Sequence, residues 1–382
     1  MSGAQSPAVP ALRRAHIDHA ALAANLRHVL DTVRPAAVMA VVKADAYGHG
    51  AVEVARTAVA AGAEWLGVAD VDEALALRDA GIEAPVLAWL HGPDPDFAEA
   101  VARDVTLGIS TAGQLARAVA AGAPEAPARV HLKVDTGLGR NGLGREEWRT
   151  VFEAAAAAEA AGRIRVEGLF SHLSGASPDD DLAQLAAFEE ATSLARSLGL
   201  DPGLRHLAST AGALSLPATR LDLVRLGIGL YGHSPFDDRT AAELGLVPAM
   251  RLESRLISVK HVAAGTGVSY GYTHHVERDS WLGLVPLGYA DGIPRHVSNT
   301  GSVWVGGRVH PIVGRVAMDQ FVVELGEHEA RVGDRVVLFG DPSAPEAAPE
   351  RYPGADDWAR AASTITWEIV TRLGRRVERV HS

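Results

Sequence analysis

In the stretch "VVKADAYGHG" (41–50), a lysine ends a run of small apolar residues. An ammonium group there loses hydration, so Lys43 either snorkels to water or is employed. Burial lowers the pKa of such an amine and suits it to Schiff-base chemistry. Other polar side chains stand at the ends of later apolar runs: Lys133 and Asp135, His172, Ser209 and Thr210, then Arg225. One such residue would be noise; this many at corresponding positions line one pocket. In "VRLGIGLYG" (224–232), Gly227 and Gly229 let the backbone come close to a ligand, and N–H groups near Gly227 and Ile228 suit a phosphate. Taken alone, the glycines serve tight strand packing equally well. Arg225, pointing inward from a strand, needs an acceptor, either a carboxylate or a heterocyclic nitrogen. A lysine, a phosphate cradle and a partner for a ring nitrogen together describe a pyridoxal 5′-phosphate site.

The elements that must carry these residues alternate. Apolar runs rich in Val, Ile and Leu occur at 38–42, 65–69, 85–90, 105–110, 129–135, 164–173, 204–208 and 223–232. Most are separated by alanine-rich stretches of helical period, such as "AVEVARTAVAAG" and "VDEALALRDAG", which stop at a glycine. The stretch "REEWRTVFEAAAAAEAAG" is an ordinary helix by its spacing and its stop. Eight β-then-α units suit an N-terminal (β/α)8 barrel over 11–245, whose C-terminal strand ends carry the chemistry. A doubly wound open sheet is the rival, since both bury parallel strands. From 246 to 382 the texture changes to closely spaced strands with Gly-rich turns, a mainly β domain. Its last helix is expected in "DWARAASTITWEIVTRLG" (357–374).

Composition narrows the partners. With 382 residues, 47% hydrophobic and 22% charged, the chain is long enough for two well-cored domains. A formal net charge of −11 argues against nucleic acid and anionic membrane as partners. The absence of cysteine removes disulfides, thiolate catalysis and cysteine–zinc sites. The N-terminal arginines, Arg13 and Arg14, precede a helix-like amphipathic stretch and not an apolar leader core. No apolar run reaches membrane-spanning length, so a cytoplasmic protein is expected.

Two other patterns are weaker. "GLGRNG" (137–142) matches a dinucleotide-binding spacing, but a βα loop at the barrel mouth explains it without a dinucleotide. The sixteen histidines form no metal-ligand motif. "DDD" (179–181) reads as a solvated helix start and His274–His275 as an exposed turn. No metal is expected.

With these residues in view, the chain resembles the bacterial alanine racemases. The resemblance rests on "VVKADAYGHG", "LKVDTGLGRNG", "FSHLSGA", "HLASTAGAL", "DLVRLGIGLYG", "VSYGYT", "PLGYADGIPR" and "GRVAMDQ", in family order from about residue 11 to 380. It implies a barrel followed by a β domain, pyridoxal 5′-phosphate, a head-to-tail homodimer and supply of D-alanine for peptidoglycan. It implies that Lys43 holds the cofactor and that Tyr47 hydrogen-bonds its phosphate, with Thr210, Gly227 and Ile228 completing that site. Ser209 would lie near the cofactor, His172 near Arg225, and Arg225 against the pyridine nitrogen. Arg140 would contact the ring oxygen and the substrate carboxylate. Tyr270 and Met318 would come from the second subunit's β domain, while Tyr289 and Arg295 line the substrate path. Lys133 matches a lysine that is carbamylated in several members.

Racemisation needs one base on each face of the reacting carbon, Lys43 on one and Tyr270 on the other. A phenol is a poor base near neutrality unless positive charge is close, and the His172–Arg225 pair is expected to supply it. Three positions depart from the family pattern: Ser209 replaces an asparagine, Ser177 an aspartate, and Arg375 a tyrosine of the substrate path. They bear on affinity and access, not on the reaction. Rival readings are a racemase of another small amino acid such as serine, a related decarboxylase, and a non-catalytic pyridoxal phosphate carrier. The decarboxylases use a carboxylate at the ring nitrogen and a cysteine motif; this chain has Arg225 and no cysteine.

Overall fold

The computed structural model describes residues 12–382, so Ala11, the expected start of the barrel, lies outside the described residues. The chain divides into two compact units. One comprises Leu22–Ala46 and Gly50–Leu246; the other takes the described residues up to Ala21, Tyr47–His49 and Val247–Ser382.

After β1 (Arg13–Ile17), the first unit is built on β2 (Ala37–Val41), β3 (Trp65–Val68), β4 (Val86–Ala88), β5 (Val105–Ile109), β6 (Ala128–Lys133), β7 (Ile164–Phe170), β8 (Leu204–His206) and β9 (Leu223–Leu226). These eight lie in the order β8-β7-β6-β5-β4-β3-β2-β9, and the recorded pairs are parallel. The sheet closes on itself: Asp222 N–H reaches Arg205 C=O at 3.1 Å, and Arg225 N–H reaches Ala208 C=O at 3.0 Å. This closure distinguishes a barrel from an open sheet. Every residue of β3, β4 and β5 is buried, as strands covered on both faces must be. Met39, Trp65, Leu87 and Leu223 fill one layer of the interior. Helices stand between the strands. In Trp148–Ala160, Trp148, Val151, Phe152 and Ala155 form its buried stripe.

The second unit is mainly β: β10 (Met250–Arg255), β11 (Ser258–Val262), β12 (Gly267–Val268), β13 (His274–His275), β14 (Ser280–Val285), β15 (Ser302–Val305), β16 (Arg308–Val313), β17 (Phe321–Gly326), β18 (Arg335–Phe339) and β19 (Glu378–His381). Nine strands form one sheet in the order β11-β14-β17-β16-β15-β18-β10-β1-β19. Here β1 departs from expectation. Arg13 and Arg14 do precede a helix, His19–Val33, but they themselves begin a strand antiparallel to β10 and parallel to β19, so this stretch joins the β sheet and not the barrel. The reason is local alternation, with Ala15 and Ile17 fully buried and their neighbours outward. The expected last helix is two, Ala355–Ala361 and Thr366–Thr371, broken where Ser363 takes φ 53°. Hydroxyl and β-branched side chains in "STIT" favour such a break. No helix among the described residues is long and apolar enough to cross a membrane.

Candidate active site

Lys43 follows β2 after one residue, Val42, and opens a short helical turn, Lys43–Gly48, of unusual hand. Ala44, Asp45, Ala46 and Tyr47 all have φ between 51° and 53°. Left-handed helix costs about 1–2 kcal/mol per non-glycine residue, so surrounding bonds must hold it. Ala46 N–H reaches Val42 C=O at 2.8 Å, Gly50 N–H reaches Asp45 C=O at 3.0 Å, and Ala51 N–H reaches Asp45 Oδ1 at 2.9 Å. The Lys43 Nζ stands 5.8 Å from the ring centre of Trp89. Burial lowers the Lys43 pKa; Arg140 and Arg225 push the same way, and Glu73 opposes them.

Arg225, on β9, is almost wholly buried and has no carboxylate partner among the described residues. Its Nη1 donates to His206 Nδ1 at 3.0 Å and His206 C=O at 3.1 Å. Its Nη2 faces Ser171 C=O at 2.8 Å, Leu207 C=O at 2.9 Å and His172 Nδ1 at 2.9 Å. Arginine has no acceptor, so both histidines receive at Nδ1 and keep their protons on Nε2. His206 Nε2–H then donates to His131 Nδ1 at 2.9 Å, leaving the proton of the buried His131 on Nε2. All three rings are neutral. Burial and then Arg225 push His172 down to about 3; burial and then Arg129 do the same to His131; burial and then Arg225 hold His206 well below its ordinary value. Burial lowers Arg225 itself to about 10, so it keeps its charge near neutrality.

Thr210 begins the helix Thr210–Ser215, with Ser209 extended before it and bridged to Arg225. The Thr210 hydroxyl oxygen accepts from Gly227 N–H at 3.2 Å and Gly229 N–H at 3.3 Å, which leaves its own proton to donate. A Cβ at Gly229 would lie 2.7 Å from Thr210 Cγ2, so the close approach needs glycine. Ile228 is buried in the same turn.

Lys133 ends β6, buried, with its Nζ 5.7 Å from the Phe170 ring centre. Burial, then Arg225 and Arg140, bring its pKa down to about 8. Arg140 sits exposed in the loop that follows, and its charge is felt by Lys43, Lys133 and His172. Asp135 shapes that loop by accepting from Gly137 N–H at 2.9 Å and Gly139 N–H at 3.2 Å. The "GLGRNG" glycines therefore serve a loop that presents Arg140.

In the second unit Tyr270, Met318 and Tyr289 are 70%, 52% and 43% exposed, and Arg295 is exposed as well. Tyr270 follows Ser269, whose strained φ of 59° is held by its hydroxyl donating to Arg315 C=O at 2.6 Å. Tyr289 N–H reaches Ala317 C=O at 3.1 Å and Ala290 N–H reaches Met318 C=O at 3.0 Å, so the segments that carry Tyr289 and Met318 are stitched together. Arg376 bridges Asp319 at 2.7 Å and the fully buried Asp291 at 2.8 Å, one residue beyond Arg375. Tyr47 is buried too, and burial raises its pKa to about 12, which keeps the phenol a donor.

Several polar roles differ from the sequence reading. Asp179 and Asp180 are exposed, but Asp181 is buried and accepts from Gly175 N–H at 2.9 Å, bracing the loop after His172. Gln184 braces the same loop, donating to His172 C=O at 3.1 Å. Ser177 caps the helix Pro178–Ser197, its hydroxyl accepting from Asp180 N–H at 3.1 Å. His274 is not in an exposed turn: it lies in β13 and meets Glu324 at 2.8 Å. His206, His131, Trp89 and Glu73 went unread; only the strand-end position of His206 in "HLAST" hinted at a role.

The first unit's residues fit pyridoxal 5′-phosphate. Every recorded bond of Arg225 uses Nη1 or Nη2; among the described residues none accepts from Nε, which is the donor left for a ring nitrogen. Thr210 offers a hydroxyl proton to a phosphate, and Lys43 a poorly hydrated amine to an aldehyde carbon.

Family models agree in extent with this division of labour: "Alanine racemase, N-terminal domain" matches residues 17–235 and "Alanine racemase, C-terminal domain" matches 249–381. The chain is 52% identical over 375 residues to the alanine racemase of Beutenbergia cavernae, covering 96% of this chain and 97% of that one. It is 47% identical to that of Thermobifida fusca, covering 96% and 97%. Among solved structures, the alanine racemase of Streptomyces lavendulae superposes with a TM-score of 0.93 at 46% identity, covering 98% of each chain.

Proposed function

The chain belongs to the alanine racemase family and shares its activity, the interconversion of L- and D-alanine; from that premise we propose that it works with pyridoxal 5′-phosphate held by Lys43, in a homodimer whose subunits share each site. When bound, the cofactor would delocalise the electron pair left as the α-proton departs. Lys43 moves a proton on one face of the α-carbon, its lowered pKa favouring the free amine. Tyr270 of the partner subunit moves a proton on the other. Arg225 would donate from Nε to the ring nitrogen and supply the positive charge beside the second base; neutral His172 carries its proton on Nε2. Thr210 and Ile228 would bind the phosphate, Gly227 would orient the Thr210 hydroxyl through its N–H, and Tyr47 joins them on the resemblance alone. Ser209 lies beside this cradle. Arg140, braced by a carbamylated Lys133, orients the substrate carboxylate, while Met318, Tyr289 and Arg295 shape the approach. The exposure of Tyr270, Met318 and Tyr289 suits a face that a second copy covers. Location in the cytoplasm is part of the same reading.

The observation that carries this reading is the bonding of Arg225, a buried cation held by carbonyls and neutral imidazoles with Nε left over. Purified chain should show visible absorbance that borohydride bleaches, and should turn L-alanine into D-alanine. Lys43→Ala should lose both. Full turnover by that variant, or by chain free of cofactor, overturns the reading.

A further inference from the structure

The ladder between β2 and β3 ends where Val42 N–H meets Gly67 C=O at 2.8 Å. One step beyond, the two chain segments offer donors to each other: Ala44 N–H on one side of the gap and Ala69 N–H on the other. Two donors cannot pair, and a group with two acceptors must lie between them. Glu73 is that group. Its Oε1 accepts from Ala44 N–H at 2.6 Å and its Oε2 from Ala69 N–H at 2.8 Å. Ala69 C=O in turn accepts from Trp89 N–H at 3.2 Å and Leu90 N–H at 2.6 Å. The carboxylate therefore holds both partners of the Lys43–Trp89 contact, one through each oxygen.

We infer that Glu73 is a positioning residue for Lys43, a carboxylate rung that continues the β2–β3 ladder past its last backbone bond and fixes the entrance of the left-handed turn. The inference rests on the reading of Lys43 as cofactor holder and base. Capping alone does not account for Glu73. The helix Val71–Asp79 already has its cap in Asp70, whose carboxylate accepts from Glu73 N–H at 3.0 Å. Oε1 leaves that helix altogether and binds 29 residues back along the chain. A glutamine would turn its NH2 toward one of the two N–H groups, and an aspartate is one carbon too short to span them. The anion also faces the lysine, and its charge favours the ammonium form while burial and two arginines oppose it.

The chain has three lysines, Lys43, Lys133 and Lys260, so each can be followed separately by mass. The test is pH-dependent pulse acetylation of the full-length, cofactor-free chain, with Lys260 as internal reference, on Glu73→Gln and Asp70→Ala. In Glu73→Gln the labelling midpoint of Lys43 should move down, because the opposing anion is gone and burial stays. Exchange of the Ala44 amide should speed up about tenfold or more, the loss expected for a charge-assisted hydrogen bond, and kcat should fall in both directions. Asp70→Ala removes the helix cap and should lower stability while leaving the Lys43 midpoint in place. A midpoint in Glu73→Gln that stays put or rises overturns the inference, as does an equal shift in Asp70→Ala. Lys43→Ala separates the two levels: racemisation by that variant would overturn the role of Lys43, whereas an unmoved midpoint with Lys43→Ala inactive overturns Glu73 alone.

Discussion

Arg225 meets His172 through Nη2 and Nδ1 at 2.9 Å, and this one bond decides where the charge and the proton of the pair reside. The guanidinium donates, so the imidazole receives at Nδ1 and carries its hydrogen on Nε2. Beside a buried cation the ring stays neutral at any pH above about 3. The positive charge expected of the His172–Arg225 pair is therefore carried by Arg225 alone, and His172 contributes a fixed N–H. The same logic runs in the other direction through His206 to His131.

Arg225→Glu should consequently damage more than charge. It would strand the carbonyls of Ser171 and Leu207, which Arg225 now satisfies, while His206 C=O keeps its bond from Ser171 N–H. Each stranded buried carbonyl costs about 1–3 kcal/mol. Racemisation should fall by about 10²-fold or more, as for the loss of a preorganised donor at developing charge, and side products such as pyruvate should rise. Circular dichroism of alanine and a coupled pyruvate assay measure both. Because the glutamate variant is exposed to misfolding, Arg225→Lys provides the second reading: charge kept, fork lost, rate still down. Normal rates in either folded variant would remove Arg225 from the site.

A shared site makes a different forecast. Lys43→Ala and Tyr270→Ala should each be inactive, and mixing them under subunit exchange should restore activity. A mixed dimer has one site with both defects and one with neither, so random exchange should recover roughly a quarter of wild-type activity. No recovery, with exchange shown by mass, would mean that Lys43 and Tyr270 do not meet across subunits.

Much of this was legible because it is local. The eight barrel strands announce themselves as short apolar runs, and the helices between them stop at glycines such as Gly62, which takes φ 113°. What stayed hidden is non-local or has no side-chain signature. β1 was misread because its partners, β10 and β19, lie more than 230 residues further on. The left-handed turn uses Ala, Asp, Ala and Tyr, none of which advertises a positive φ; only Gly48 and Gly50 flag the region. Glu73 looked like any acid in a first helical turn, and its bond to Ala44 depends on two strands meeting. His274 needed Glu324, fifty residues away, to reveal its role.

Lys133 offers a test with a definite sign. Its folded pKa, about 8, lies below the ordinary 10.5. Between those values the unfolded chain binds more protons, so stability should rise with pH across that window. Below about 8 the ammonium is present in both states, and the fold carries its full desolvation cost. Reaction of the neutral amine with carbon dioxide gives a carbamate and releases a proton, replacing a cation beside Arg140 with an anion. Chain kept in bicarbonate near neutrality should therefore gain the mass of one carbon dioxide on the Lys133 peptide, and its stability should lose the rise above pH 8. An unmodified Lys133 under those conditions, with the rise intact, would leave Arg140 without its brace.

The two bases should be inequivalent. By the family resemblance, Lys43 takes the α-proton from D-alanine and Tyr270 of the partner subunit takes it from L-alanine. Tyr270→Ala should lose racemisation in both directions, because each direction needs one group to remove a proton and the other to return one. The variant keeps Lys43, the rung at Glu73 and the fork of Arg225, so proton exchange on the D side should survive. In deuterated water it should wash deuterium into D-alanine much faster than into L-alanine, read by mass after separating the enantiomers. Equal washout from both would mean that one mobile base, or water, reaches both faces. The exposed Tyr270 would then be a wall of the site, and the second proton would have to come from elsewhere.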